Sequence, residues 1–296
     1  MGADLPKPEG RLALPCTNPP HELLIEPVVR QALEEDLGRA GDITTDAIIP
    51  PGKMARAVIA AREPGVVAGL IAADLAFRLI DPAVLLSPRA PDGSEIAQGA
   101  VIATLEGPAR AILTAERVAL NFMGHLSGVA TATHQLVSRI AGTDAHIICT
   151  RKTMPGLRVL EKYAVRCGGG LNHRFGLDDA VLVKDNHIAA AGGVDAVVRA
   201  LRGRLGPLVK IEIEVDDLAQ LETALALGID AILLDNMPPD TMRRAVAMAR
   251  GRAKLEASGG VTLERVRAIA ESGVDFISSG AITHSARSLD LGLDFL

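Results

Sequence analysis

In the second half of the chain, six short apolar runs each end in a polar cluster: Thr150-Arg151-Lys152, Lys184-Asp185-Asn186-His187, Asp216-Asp217, Asp235-Asn236, Ser258-Gly259-Gly260 and Ser279-Gly280. If the clusters converge, Arg151, Lys152, Arg174 and Lys184 crowd one rim, with His173 as a candidate fifth cation. Close like charges without counter-anions repel by about a kcal/mol or more per pair. Any one of them alone reads more simply as a solvated rim residue; the set points to a polyanionic ligand. Arginine at 151 and 174 favours planar carboxylates, gripped by two parallel hydrogen bonds. The turns Ser258-Gly259 and Ser279-Gly280 let backbone N–H groups approach a phosphate, although tight strand-to-helix turns would look the same. Glu214 and Asp235 suit sugar hydroxyls, a Mg²⁺ that bridges phosphate oxygens, or simple charge balance for the lysines. Glu212 shares a strand face with Glu214, and an ion pair with Lys210 or a neighbouring lysine stands beside a catalytic role for it. His125 and His187 have no partner in the sequence and read as structural. Together these residues describe a phosphorylated sugar meeting a carboxylated partner.

The elements that must position these residues follow from the pattern of the runs. His146 to Cys149, Val181 to Val183, Val209 to Val215, Ala231 to Leu234, Lys254 to Ala257 and Asp275 to Ser278 alternate with Ala/Leu/Arg-rich stretches of helical length, which predicts βα units around a parallel sheet. Nearly continuous apolar composition suits strands buried on both faces. In an α/β barrel the loops after the strands form the active face, so the six clusters are expected to meet there. Upstream, Leu23, Val28, Val29, Leu33 and Leu37 recur at helical spacing before Gly38 and Gly41. Between Lys53 and Gly107, short runs broken by glycine and proline predict a small sheet-containing domain. A long helix or helix pair follows through Arg117, Phe122, Val129 and Leu136, with Thr114 as its candidate N-cap.

Length and composition narrow the classes further. At 296 residues the chain has room for two domains, or for one barrel with an appendage. With 31 Lys+Arg against 36 Asp+Glu, a net charge of −5, no Trp, one Tyr and five Phe, it offers neither a basic surface nor stacking rings for nucleic acid. The best apolar run, Val66 to Phe77, contains Asp74 and is too short to span a membrane. Residues 1–20 hold Pro6, Pro8, Pro15, Pro19 and Pro20 without an apolar core, which reads as a flexible arm and not as a secretory signal; a cytoplasmic protein is expected. Cys16, Cys149 and Cys167 are odd in number and lack metal-ligand spacing, so reduced thiols, no disulfide and no zinc are expected.

The order and spacing of the longer motifs resemble the quinolinate phosphoribosyltransferases. These motifs are Gly41-Asp42-Ile43-Thr44-Thr45, Glu116 to Phe122 leading to Leu126-Ser127-Gly128, Thr150 to Arg158, Asn172-His173-Arg174, Lys184 to His187, Glu212-Ile213-Glu214-Val215, Leu234 to Met237, Glu256 to Gly260 and Thr283-His284-Ser285. The resemblance implies an α/β fold: an N-terminal α/β sandwich domain over 21–128 and an incomplete, about seven-stranded α/β barrel over 129–280, with 281–296 packing back on the first domain. It implies a homodimer that converts quinolinate and phosphoribosyl pyrophosphate to nicotinate mononucleotide, pyrophosphate and CO₂ with Mg²⁺, a step of de novo NAD biosynthesis. By motif, Arg151, His173, Arg174 and Lys184 would hold the two quinolinate carboxylates, with Arg117 from the partner subunit. Lys152 would meet the pyrophosphate or its metal, Glu214 and Asp235 the ribose hydroxyls and Mg²⁺, and Ser258, Gly259, Ser279 and Gly280 the 5′-phosphate. Lys152, Lys184, Glu214 and Asp235 form the implied catalytic set, with Lys184 or a water returning a proton after CO₂ leaves. The pattern departs from the family at Leu291-Gly292-Leu293-Asp294, where a serine more often replaces the glycine. A same-fold transferase acting on nicotinate, a relative tied to molybdenum transport, a lyase with a Schiff base at Lys184 and a non-catalytic phosphate-binding module are the alternatives; the complete set of carboxylate-holding residues favours a dicarboxylate.

Overall fold

The structure, a computed structural model, describes residues 18–296, so most of the arm expected over 1–20, and Cys16 with it, lies outside the described residues. The chain divides into two compact units. One holds the described chain from residue 18 through Thr131 together with Val159–Gly169 and Arg287–Leu296; the other holds Ala132–Arg158 and Gly170–Ala286.

In the first unit, helix α1 (Glu22–Leu37) buries Ile25, Val29 and Leu33 and ends at Gly38. Asp42 caps α2 (Ile43–Ile48) by accepting the Thr45 N–H at 2.9 Å. Strands β1 (Met54–Ala61), β2 (Gly65–Val66), β3 (Leu85–Pro88), β4 (Glu95–Ile96) and β5 (Val101–Pro108) follow, with α3 (Leu70–Ile80) between β2 and β3. The main sheet runs β12-β1-β5-β3, all antiparallel, where β12 is Leu291–Phe295 near the far end of the chain. Helix α3 was not legible as a helix, because its residues are apolar almost all round and a buried helix then shows no periodic face. Asp92, buried, accepts the Gly69 and Leu70 N–H groups at the start of α3 and the Tyr163 hydroxyl at 2.8 Å; burial raises its pKa above the ordinary carboxylate value. Helix α4 (Ala109–Arg139) begins directly after Pro108. Thr114 is therefore not its N-cap, as expected from sequence; it lies inside the helix and its hydroxyl donates to Asp42 at 3.2 Å. Arg287 reaches α4 closely at Gly128, where a Cβ would stand 2.2 Å from the Arg287 carbonyl oxygen. Helix α5 (Arg158–Cys167) places Glu161 against His125 at 2.8 Å, giving that histidine the structural partner its sequence context lacked.

In the second unit the six expected strands all form: β6 (His146–Ile148), β7 (Val181–Val183), β8 (Ile211–Val215), β9 (Ala231–Asp235), β10 (Lys254–Ser258) and β11 (Phe276–Ser278). They make a parallel sheet in the order β6-β11-β10-β9-β8-β7. Beyond β6, Leu171 makes one isolated parallel bridge to Ile148, so a seventh strand position is reduced to a single residue pair. The fold is thus an N-terminal α/β sandwich and an incomplete α/β barrel. Helices α6 (Asp185–Ala191), α7 (Val194–Arg202), α8 (Leu218–Ala226), α9 (Pro239–Ala249), α10 (Val266–Ala270) and α11 (Ala281–His284) follow the strands. At the strand starts one clamp occurs twice. Lys210 pairs with Asp230 at 2.6 Å while Asp230 also accepts the Ile211 N–H, and Lys254 pairs with Asp275 at 2.6 Å while Asp275 accepts the Leu255 N–H. No helix among the described residues is long and apolar enough to cross a membrane.

Candidate active site

A parallel strand ends where its last residues leave the ladder, and the side chains there are fixed by the sheet while the loop beyond stays adaptable. At this end of the second unit lies a cavity of about 720 Å³. Its walls include Arg151, Lys152, His173, Arg174, Lys184, Glu214, Asp235, Ser258, Gly259, Ser279 and Gly280, so the structure brings together every residue assigned to the site from sequence except Arg117. Arg117 sits exposed on α4 and lines a separate recess in the first unit with Asn121, Ser288 and Asp290.

The loop after β6 carries Arg151 and Lys152. It is braced by Arg158, whose guanidinium donates to Thr153 Oγ1, to the Phe175 carbonyl and to the Arg151 carbonyl at 3.1 to 3.4 Å. The Lys152 carbonyl accepts the Thr283 hydroxyl at 2.7 Å, which ties this loop to α11. Arg151 Nε is buried with no hydrogen-bond partner, as is the Ser278 hydroxyl on the cavity wall. A buried donor left unpaired costs about 1–3 kcal/mol, so both groups are suited to a polar ligand or water. Arg174 donates to the Ala180 carbonyl at 3.1 Å; burial, and then the like charge of Arg151, lowers its pKa.

Across the cavity, Lys184 Nζ meets Glu214 at 2.8 Å, and the Lys184 N–H donates to His187 Nδ1 at 2.9 Å, so His187 fixes a backbone turn. Asp235 accepts from Asn236 Nδ2 at 2.8 Å. Asn236 adopts a left-handed backbone, φ 51°, and its side chain lies over Gly259, where a Cβ would stand 2.0 Å from Asn236 Oδ1. Gly259 itself has φ +92°, so conformation and space both require glycine here.

Beneath these groups, Glu212 departs from its expected partner. Lys210 is taken by Asp230, and Glu212 instead meets His173 Nε2 at 2.9 Å, with Glu256 at 3.4 Å from the same nitrogen. The reason is burial: Glu212 lies inside β8, 8% exposed, while the Lys210 side chain, just before the strand, stays at the surface beside Asp230. His173 Nδ1 accepts the Arg174 N–H at 2.7 Å. Burial opposes a charge on His173, but its hydrogen bonds to Glu212 and Glu256 outweigh it and raise its pKa to about 10; burial and Glu256 raise Glu212 as well. The trio thus holds one proton more than free His and two Glu would at neutral pH. While Nδ1 accepts from Arg174, that proton lies on the Nε2 and carboxyl side of the cluster. His173, Glu212 and Glu256 are also close enough to read as metal ligands. A metal on Nε2 would require a proton on Nδ1, where the Arg174 N–H already points, so the trio is a hydrogen-bonded cluster.

Sequence reasoning missed Glu256, Ser278 and His284 as cavity residues, although Glu256 and His284 lie inside motifs it had singled out. Fixed cations at Arg151, Lys152, Arg174 and Lys184 face Glu214 and Asp235, with serine–glycine turns that can offer hydroxyl and backbone N–H donors alongside. Such a cavity can hold a polyanion at several points and shield positive charge developing on a sugar.

Comparisons with known proteins agree with this chemistry. The family models described as "Quinolinate phosphoribosyl transferase, N-terminal domain" and "C-terminal domain" match residues 42–127 and 129–294. The chain is 46% identical over 273 residues to the nicotinate-nucleotide pyrophosphorylase [carboxylating] of Mycobacterium leprae, covering 90% of this chain and 95% of that protein. It is 43% identical to the corresponding probable enzyme of Bacillus subtilis over 93% of this chain and 94% of that one. Among solved structures, the nicotinate-nucleotide pyrophosphorylase of Francisella tularensis superposes with a TM-score of 0.88 at 39% identity, over 94% of this chain and 98% of that chain.

Proposed function

The chain belongs to the quinolinate phosphoribosyltransferase family, and from that premise we propose how its cavity divides the work. The enzyme transfers phosphoribose from phosphoribosyl pyrophosphate to quinolinate with decarboxylation, giving nicotinate mononucleotide, pyrophosphate and CO₂ in de novo NAD biosynthesis. In our reading Arg151, Arg174 and Lys184 hold the two quinolinate carboxylates, and the Arg151 Nε that lacks a partner donates to one of them. Ser258, Gly259, Ser279 and Gly280 offer hydroxyls and backbone N–H groups to the 5′-phosphate. Lys152 faces the pyrophosphate. Glu214 and Asp235 face the ribose hydroxyls.

Glu214 and Asp235 each engage one protein donor, and among the described residues they do not belong to a preformed three-ligand cluster. Two carboxylates of this kind fit Mg²⁺ that arrives with a polyphosphate and its waters. When bound, the ion would neutralise charge on the departing pyrophosphate. The residues of the chain do the rest by positioning. The arginines aim the ring nitrogen at the anomeric carbon, the acids stabilise the cationic sugar as the C–O bond lengthens, and the lysines hold the anions apart from bulk water. Once the ring nitrogen is ribosylated, its positive charge stabilises the carbanion left by CO₂, and Lys184 or a water returns the proton. We further propose a cytoplasmic homodimer in which Arg117, outside the cavity of its own chain, completes the site of the partner subunit.

The observation that carries this reading is the convergence of four cations, two acids and two glycine turns on one cavity. Purified protein with Mg²⁺ and phosphoribosyl pyrophosphate should yield mononucleotide and CO₂ from quinolinate and not from nicotinate. Activity with nicotinate alone would overturn the assignment of a second carboxylate.

A further inference from the structure

Glu212 and Glu256 have no place in the division of work just given, yet they are among the costliest residues in the barrel. They lie inside β8 and β10, 8% and 3% exposed, at positions where an aliphatic side chain would continue the strand pattern. A buried carboxylate is tolerated only when hydrogen bonds or charge compensate several kcal/mol of lost hydration. Among the described residues no lysine or arginine pairs with either; both meet His173 Nε2, and the two carboxyl groups also hydrogen-bond to each other.

The second nitrogen of that ring is equally committed. Nδ1 accepts the Arg174 N–H at 2.7 Å, which demands a lone pair on Nδ1 and so a hydrogen on Nε2. With both nitrogens engaged inside the protein, His173 can act on a substrate carboxylate through its neighbours as well as from the cavity wall. What it can do is transmit. The carboxylates fix the Nε2–H tautomer and the ring plane, the ring fixes the Arg174 backbone, and the Ala180 carbonyl anchors one guanidinium nitrogen at 3.1 Å. The negative charge of Glu212 also offsets the repulsion between Arg174 and Arg151.

We propose that Glu212 and Glu256 are positioning residues for the quinolinate grip, holding His173 as the Nε2–H tautomer so that its Nδ1 locks the backbone of Arg174. The assignment deepens the proposed function and rests on its placing of a carboxylate at Arg174. Two measurements on the intact enzyme separate the failures. The first, nitrogen NMR of histidine-labelled protein at neutral pH, should show His173 with Nδ1 bare and Nε2 protonated. A hydrogen on Nδ1, alone or as imidazolium, overturns the proposal whether or not quinolinate is the substrate. The second is steady-state kinetics. Glu212→Gln keeps an acceptor oxygen for Nε2–H and should retain KM for quinolinate within roughly threefold, whereas Glu212→Leu should raise it roughly tenfold or more, with little change in KM for phosphoribosyl pyrophosphate. Glu256→Leu, at the longer contact, should act in the same direction less strongly. Equal rises in both KM values, or an unchanged quinolinate KM in folded Glu212→Leu, would show that the carboxylates merely fill the barrel. If Glu212→Leu does not fold, the nitrogen spectrum of wild type and Glu212→Gln decides: loss of the Nε2–H signature in Glu212→Gln contradicts the acceptor role. Absence of any quinolinate turnover in wild type sinks the reaction assignment, while the spectrum still judges the tautomer.

Discussion

Arg174 and Lys184 carry the same charge into one cavity, but their shapes suit them to different work. A guanidinium can present two parallel N–H groups to a carboxylate, and a lysine cannot. Arg174→Lys should therefore raise KM for quinolinate far more than KM for phosphoribosyl pyrophosphate, by roughly tenfold or more, in steady-state assays varying each substrate. Equal effects on both would place Arg174 elsewhere in the reaction. His173 makes a separate prediction about pH. The cluster it forms with Glu212 and Glu256 keeps its extra proton up to about pH 10, where a free histidine would lose its own near 6.5, so the stabilisation tied to that shared proton is complete below pH 6.5 and is lost as pH rises through about 10. Melting temperatures of wild type should fall more than those of His173→Asn across that window, and parallel curves would contradict the linkage. Sequence could name the rim residues because lysine, arginine and glycine after an apolar run stand out by type. It could not pair His173 with Glu212 and Glu256, since those partners lie far along the chain and only the closing of the sheet brings them together.

At the level of elements, the six strands of the second unit were legible because each is buried on both faces and reads as a continuous apolar run. The start of α4 and the whole of α3 were not, for opposite reasons. Pro108 hands a strand directly to a helix with no polar cap between them, and α3 has too few polar residues to reveal its turn. The strand-to-helix turns repay attention at Gly259. Alanine there would force a side chain onto a φ of +92°, at about 1–2 kcal/mol for the backbone alone. It would also displace Asn236, which holds Asp235. Gly259→Ala should lower the denaturant midpoint and raise KM for phosphoribosyl pyrophosphate together. A loss of stability without a change in that KM would assign the glycine to folding alone. Arg158, absent from the expected site, braces two of its loops through three acceptors, so the cavity owes its shape partly to a residue that is not among its walls.

For the molecule as a whole, a net charge of −5 coexists with a cavity whose upper walls are cationic. Such a field concentrates anions at one place only, and kcat/KM for the polyanionic donor should fall as salt rises. The proposed dimer gives the sharpest test at this scale. Arg117→Ala and Lys184→Ala should each be inactive and folded, yet mixing them should restore part of the activity, because one kind of mixed site receives an intact residue from each chain. Proven subunit exchange without recovery would count against a shared site. The first unit carries a different consequence. Its sheet is completed by β12, which pairs with β1 from Ala57↔Phe295 to Ala61↔Leu291, so a long loop of chain containing the entire barrel separates two adjacent strands. As the protein emerges from the ribosome, β1 and β5 can pair early, but the outer edge of β1 has no partner until residues 291–295 have been made. The domain that is translated first is therefore finished last, and the nascent chain carries an unprotected strand edge through most of its own synthesis.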